Sequence, residues 1–249
     1  MWLWSTRAAA DNAVALQPRL AYGYLVRGRI HATVELDFAG AGDDLRRALA
    51  LEPDSAEVLF EYAASVLAPT GRLDEAVATF RKAIDGDPLN SRIWGFLGFA
   101  LLAQGNVATA REAMNRSMDI SPQQAYTPNG LTVGFLLEGG PAAALGASQR
   151  STEEVFRLFG AAVAQYDLGH LADAQQQLDT LIEKYAYVAA YQVAEAYAWR
   201  GDKERAFSWL ERARVQKDGG YASVKIDPML RKLRDDPRYL AAVRAAHLQ

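Results

Sequence analysis

Residues 91–122 read SRIWGFLGFALLAQGNVATAREAMNRSMDISP and have the pattern of two helices joined by a tight turn. One helix face is marked by residues at positions i, i+3, i+4 and i+7, namely Trp94, Leu97, Gly98 and Leu101. Gly105 follows as the turn, because glycine takes the left-handed backbone at a helix end without strain. A second helix runs from there to Pro122, whose ring cannot continue it. The stretch therefore predicts a helical hairpin in which the small residues Gly98 and Ala110 let the two helices approach closely.

The same hairpin recurs along the chain at a regular interval. Four prolines follow helix-like strings and are separated by 35, 35 and 34 residues: Pro18, Pro53, Pro88 and Pro122. The unit that ends at Pro88 repeats the internal pattern with Phe60, Gly71, Ala76, Phe80 and Ala83. A helix–turn–helix period of about 34 residues predicts stacked hairpins, since a single hairpin cannot bury its apolar face alone.

We predict that residues 1–249 form a single solenoid. Clear repeats span residues 19–53, 54–88 and 89–122, a degenerate repeat spans 123–153, and looser repeats span 154–187 and 188–218. Residues 1–18 supply only the second helix of a truncated repeat, and residues 219–249 form a C-terminal cap. In the cap, Asp227-Pro228 and Asp236-Pro237 each predict the start of a short helix. These helices are expected to close the stack through Met229, Leu230, Leu233, Leu240 and Val243.

Composition excludes several classes of site. The chain has 27 basic and 30 acidic residues, with no basic cluster, which argues against direct nucleic-acid binding. It has no cysteine, so disulfides, thiolate nucleophiles and cysteine-based zinc sites are excluded. The three histidines lie far apart in the sequence, and we predict neither a metal site nor a cofactor. No apolar run reaches the ~18 residues of a membrane span, and we expect a cytoplasmic protein.

Nothing in the sequence has the pattern of a catalytic site. Nothing in the sequence orients a pair such as His31 with Asp37, and no nucleophile motif is present. The pairs Gly139-Gly140 and Gly219-Gly220 lack the further residues of a phosphate-binding loop. We therefore predict that the protein is not an enzyme.

The proline-bounded unit and the pattern from Trp94 to Pro122 resemble the tetratricopeptide repeat family over most of the chain. The resemblance implies an all-α fold, a right-handed α-α superhelix of about six helix–turn–helix repeats with C-terminal capping helices. It also implies a scaffold that binds a protein or peptide.

Two stretches have a narrower resemblance. One contains LVRGRI, LDFAGA and LRRA within residues 25–48, and the other joins AYAWRG at residues 196–201 to Asp227-Pro228 and to DPRY at residues 236–239. Both resemble the C-terminal repeat regions of bacterial regulators that carry a winged-helix DNA-binding domain or a nucleotide-cyclase domain upstream. This resemblance implies the regulatory or partner-binding part of a bacterial signalling or transcription-regulatory protein.

By the family pattern, the first helices of successive repeats line a concave groove. Carried onto this sequence, the predicted groove residues are Tyr22, Arg29, Glu61, Arg92, Phe99, Phe159, Tyr166, Tyr191, Glu195 and Trp199. Tyr166 and Trp199 are expected to be more exposed than Phe156 or Phe159, because they lie near helix ends. The Lys and Asn pairs of the family's carboxylate clamp are absent from the matching positions. We therefore expect an apolar extended or helical peptide rather than an acidic C-terminal tail.

Three alternatives stay open on the sequence alone. The aromatic residues of the groove set could form the core between repeats instead. The N-terminal helix lacks a partner, so the chain is expected to be part of something longer or a homodimer through this uncapped end, where Trp2 and Trp4 would pack in a self-associating structural solenoid. Finally, an apolar small molecule could bind inside the superhelix and make the protein a sensor.

Overall fold

Helices and short turns account for the described chain. The computed structural model describes the backbone of residues 2–248 and the side chains of residues 7–248, and within these residues no strand occurs. Consecutive helices pair as hairpins, so the predicted all-α solenoid with C-terminal capping helices is confirmed. The chain divides into two compact units, Met1–Leu89 with His247–Gln249 and Asn90–Ala246.

The first unit contains five α-helices. They are α1 (Trp2–Leu16), α2 (Ala21–Ile30), α3 (Phe38–Leu51), α4 (Ala56–Tyr62) and α5 (Leu73–Gly86). α2 pairs with α3 and α4 pairs with α5, while α1 packs on α2. The side chains of Trp2 and Trp4 lie outside the described residues, so the predicted contact between two N-terminal ends stays a prediction.

The second unit contains four further hairpins and the cap. Its helices are α6 (Ser91–Ala103), α7 (Val107–Ile120), α8 (Thr127–Leu137), α9 (Pro141–Ser148), α10 (Glu154–Asp167), α11 (Leu171–Tyr185), α12 (Ala190–Arg200), α13 (Lys203–Val215) and α14 (Pro237–Ala245). Each pair from α6 with α7 to α12 with α13 is an antiparallel hairpin. The degenerate stretch forms the hairpin of α8 and α9, although both helices are short. The exact repeat boundaries stay a prediction.

Five hairpins close their first helix with a glycine in the left-handed region. These glycines are Gly71, Gly105, Gly139, Gly169 and Gly201, with φ between 74° and 84°. In each case the next residue donates its N–H to a carbonyl five residues back, as Asn106 does to Leu101 at 2.9 Å. This is the Schellman motif, which satisfies carbonyls at the helix end. The prediction that Gly105 supplies the left-handed residue at the end of α6 is therefore confirmed.

The first hairpin of the first unit turns differently. Leu36, not a glycine, takes the left-handed conformation with φ of 54°. It follows a π-helical turn, His31–Glu35, which extends α2, and a second such turn, Ala63–Leu67, extends α4. A π-turn holds more residues per turn than an α-helix. The first helices of both hairpins in this unit therefore end in a widened turn.

Small residues bring the hairpin helices together where the sequence predicts it. A Cβ on Gly98 would lie 2.5 Å from Met114 Cγ and 3.2 Å from the Ala110 carbonyl oxygen. Ala110 and Met114 have no exposed surface. Because real carbon atoms do not approach so closely, a side chain at residue 98 would either displace α7 or distort the Met114 side chain.

The cap contains the two short helices that Asp227-Pro228 and Asp236-Pro237 predict, and a further 3₁₀ segment, Gly219–Ser223, precedes them. The Asp227 carboxylate accepts the Met229 N–H at 2.7 Å at the start of a 3₁₀ segment, Pro228–Leu233. Asp236 accepts the Arg238 N–H at 3.0 Å at the start of α14. Met229, Leu230, Leu233 and Val243 are buried. The prediction for Leu240 is wrong, because this side chain faces solvent and is 56% exposed.

Candidate functional site

The first unit leaves only part of its predicted groove set accessible. Tyr22 and Arg29 are exposed on α2. Glu61 is buried and accepts a hydrogen bond from the Ser65 hydroxyl one turn later. The Glu61 carboxylate is therefore buried and already bonded to Ser65, so a ligand on the surface of the unit does not contact it.

A charged cluster lies beside the π-helical turn of this unit. His31 Nδ1 is 3.0 Å from Glu35 Oε2 and 3.1 Å from Asp37 Oδ2, and the three potential ligand atoms lie within 4.8 Å of one another. The carboxylates also have other partners: Arg7 donates to Glu35, and the Gly40 N–H donates to Asp37 at 2.9 Å. Through these contacts the cluster links α1, the π-helical turn and the start of α3.

An accessible stripe follows α6 in the second unit. It consists of Arg92, Phe96, Phe99 and Ala103, spaced by four, three and four residues, and we call it the α6 stripe. Arg92 is exposed and the other three are half-buried. The Phe96 and Phe99 rings meet edge to face with centroids 6.2 Å apart. Two predicted groove residues, Arg92 and Phe99, thus lie together on one helix face.

Helix α10 contributes less to an accessible surface. Phe159 has no exposed surface and belongs to the core. Tyr166 is half-buried beneath the Arg200 guanidinium, which lies 5.1 Å from its ring centroid. Arg200 is itself held by the carbonyls of Ala162 and Ala174 at 3.0 and 2.9 Å. The Arg200 guanidinium therefore covers part of the Tyr166 ring.

Two predicted groove residues on α12 form a buried polar cluster with the cap. The Tyr191 hydroxyl donates to Asp227 at 2.8 Å, and Glu195 faces the same aspartate. Burial raises the pKa of Glu195 well above its ordinary value of 4.5, and the adjacent Asp227 carboxylate raises it further. Burial also raises the pKa of Asp227. One carboxyl oxygen of Glu195 has no hydrogen-bond partner within the described residues.

Trp199 is buried, at 5% exposure, whereas Phe156 is half-buried. The expectation that Trp199 is the more exposed of the two is therefore wrong. Its indole N–H donates to the Asp167 carboxylate at 2.9 Å, and the Arg231 guanidinium lies 4.8 Å from its ring centroid. Lys232 donates to its carbonyl oxygen. The cause is tertiary, since Pro228–Leu233 packs on α12 and covers this face.

An open cleft of about 380 Å³ lies where the α6 stripe ends. It is lined by Leu102, Ala103, Gln104, Gly105, Val107, Leu137, Pro228, Arg231 and Arg234, and we call it the α6 cleft. Ala103 belongs to both features, so the accessible aromatic surface of α6 continues into the cleft. The volume falls in the range of about 300–1,000 Å³ that ligand clefts have.

Two exposed arginines form one wall of the α6 cleft. Neither Arg231 nor Arg234 forms an ion pair with an acidic side chain of the described residues. Arg234 donates a long bond of 3.5 Å to the Asp227 carbonyl. The family pattern of groove positions does not include these arginines, although the spacing of Pro228, Arg231 and Arg234 matches the three-residue period of a 3₁₀ helix.

No helix within the described part of the chain has both the length and the apolar character needed to cross a membrane.

Comparison with protein families supports the predicted repeats. Models described as tetratricopeptide repeat match residues 63–125 and residues 158–186. Human tetratricopeptide repeat protein 13 is 37% identical over 91 residues, which are 36% of this chain and 10% of that protein. The chain thus spans about a tenth of the length of this relative. These matches support tetratricopeptide repeats within residues 63–125 and 158–186.

Solved structures share the fold at low sequence identity. The type IV pilus biogenesis factor PilW has a TM-score of 0.65 and 22% identity, covering 75% of this chain and 86% of its own. The Cut9–Hcn1 complex of the APC/C has a TM-score of 0.67 and 17% identity, covering 98% of this chain and 45% of its own. Pseudomonas aeruginosa PilF has a TM-score of 0.54 and 20% identity, covering 87% and 97%. The likeness is one of fold alone.

Proposed function

We propose that this protein is a non-enzymatic scaffold that binds a segment of a partner protein along the α6 stripe and in the α6 cleft. The observation that carries the proposal is the continuity of Phe96, Phe99 and Ala103 with the cleft. A run of aromatic and aliphatic side chains that stays accessible on a rigid helix is typical of peptide-binding surfaces.

The proposal narrows the groove set that the sequence predicts. Arg92 and Phe99 remain in the proposed contact surface. Tyr191, Glu195 and Trp199 leave it, because the cap already covers them. The proposed surface lies within the second unit alone.

A peptide selection tests this function. A random peptide library displayed on phage is selected against the full chain, and enriched sequences are measured as free fluorescein-labelled peptides. We expect Ala103→Glu, which places a larger charged side chain at the junction of stripe and cleft, to weaken binding about tenfold or more. Ala172→Glu is the matched control, since Ala172 is exposed on α11, away from the cleft. Absence of enriched peptides, or equal binding by both variants, would refute the proposed site.

We also propose that the module is the partner-binding part of a bacterial signalling or transcription-regulatory protein in the cytoplasm. The support is the resemblance of residues 25–48 and 196–239 to the repeat regions of such regulators. The native reading frame upstream of Met1 checks this: an effector domain is expected there. A frame that encodes no such domain contradicts this role and leaves the peptide-binding function standing.

A further inference from the structure

The α6 cleft has an apolar floor. Leu102 and Ala103 come from the end of α6, Val107 from the start of α7 and Leu137 from the end of α8. Leu102 is almost fully buried, and the other three are half-buried. Such a floor takes an apolar side chain, because burial of its hydrocarbon surface is favourable at roughly 25 cal/mol per Å².

The opposite wall of the cleft is formed by the 3₁₀ segment Pro228–Leu233 and the residue after it, Arg234. In a 3₁₀ helix, side chains three residues apart lie one above the other. Pro228, Arg231 and Arg234 therefore share one side and line the cleft, while Met229, Leu230 and Leu233 turn to the core. The wall presents two guanidinium groups within one turn of each other.

No acidic side chain of the described residues forms an ion pair with this wall, although the charge of Arg234 acts on the buried Asp227 carboxyl and opposes the rise in its pKa. Like charges one turn apart repel each other, and neither arginine has an acidic side chain at ion-pair distance. The Arg231 guanidinium is held over the Trp199 ring, with 4.8 Å to the ring centroid. This contact limits the freedom of Arg231 before any ligand arrives, so less entropy is lost on binding.

We infer that the α6 cleft binds an acidic segment of a partner protein, in which an Asp or Glu carboxylate lies beside a leucine-sized apolar side chain. The carboxylate pairs with Arg231 and Arg234, and the apolar side chain lies on the floor formed by Leu102, Val107 and Leu137. Arginine suits this task since its planar donors match a carboxylate in pairs. The inference rests on the proposed function and departs from the sequence-based expectation of an apolar extended or helical peptide.

The enriched peptides of the phage selection provide the test. Each is synthesised with its natural acidic residues and as an analogue with Asn and Gln in their place. Fluorescence polarisation with the full chain is expected to show binding about tenfold or more tighter for the acidic form, as hydrogen bonds to charged groups imply. In the double variant Arg231→Gln, Arg234→Gln this preference is expected to vanish. In the double variant Arg231→Glu, Arg234→Glu the preference should reverse, so that analogues with Lys in place of the acidic residues bind more tightly than the acidic peptides.

The matched control is Arg116→Gln, at an exposed arginine of α7 outside the cleft, which should keep the preference. Thermal unfolding shows that each variant is folded. Peptides that lose affinity in Ala103→Glu but bind equally as acid and amide overturn the inference and leave the proposed function intact. Displacement of the acidic peptides by inorganic phosphate at similar concentration also overturns it, because the wall would then be a general anion site. If no peptide binds, both proposals fall.

Discussion

At the scale of single residues, the carboxyl group of Glu195 has the most unusual environment. It lies between α12 and the cap, facing Asp227, whose carboxylate accepts the Tyr191 hydroxyl. Burial disfavours its ionised form, so the pKa of Glu195 is raised well above 4.5. The folded state therefore holds a proton that the unfolded chain releases near its ordinary pKa.

This arrangement predicts how stability depends on pH. The stabilising effect of the protonated carboxyl is fully present below pH 4.5 and is lost as pH rises through the raised pKa of Glu195. Glu195→Gln keeps the shape without the charge, so we expect this variant to be more stable than the wild type at about pH 8 and the difference to shrink towards acid pH. Urea unfolding at a series of pH values measures it, with exposed Glu112→Gln as control. Parallel pH profiles of wild type and Glu195→Gln would contradict the assignment.

At the scale of elements, the hairpin of α6 and α7 depends on one close approach between its helices and on one left-handed turn. In the hairpin of α6 and α7, Gly98 lies against Met114, and Gly105 closes the turn. Met114 and Ala110 have no exposed surface in this close approach. A side chain at residue 98 has to displace α7 or distort Met114.

We expect Gly98→Ala to destabilise the second unit by about 1–3 kcal/mol, the usual cost of overpacking a tight core. Since about 1 kcal/mol shifts the melting temperature of a chain of this size by ~2–4 °C, thermal unfolding resolves the effect. Gly146→Ala on α9 is the control, because a Cβ there meets nothing within 4 Å. Alanine at residue 146 should be neutral or stabilising by about 0.5–1 kcal/mol. Equal shifts in the two variants would show that the close approach at Gly98 does not matter.

At the scale of the whole molecule, the cap decides which helix faces stay accessible. Its 3₁₀ segment, Pro228–Leu233, packs on α12 and buries Tyr191, Glu195 and Trp199. The same segment sends Arg231 and Arg234 into the α6 cleft. The cap thus covers the last hairpin and also forms one wall of the candidate site.

If the segment is part of the core, Leu230→Ala should cost about 2–5 kcal/mol, because Leu230 has no exposed surface and its truncation leaves a cavity. Leu240→Ala serves as the control for the same substitution in the cap, since Leu240 is 56% exposed. Its cost should stay within about 0.5 kcal/mol. Thermal unfolding of both variants provides the measurement. A large loss of stability in Leu240→Ala, or no loss in Leu230→Ala, would contradict the packing of the cap that the structure shows.

The hairpins themselves could be predicted because their signals are local. Gly105, the small Gly98 and Ala110, and the N-caps Asp227 and Asp236 act through backbone geometry within a turn or between paired helices. The groove set could be predicted only in part. Arg92 and Phe99 lie on an accessible stripe, whereas Glu61, Phe159 and Trp199 are buried. Periodicity marks a helix face, but it does not show whether that face is covered.

Local sequence patterns are enough to predict an all-helical repeat protein, its glycine turns such as Gly105 and the helix starts at Asp227 and Asp236, but not the left-handed turn at Leu36. Packing between segments distant in the chain places the cap on the face of α12 and brings Arg231 and Arg234 to the cleft beside α6. The physical reason is range: helix propensity, capping and glycine turns act over a few neighbouring residues, while exposure depends on packing against segments distant in the chain.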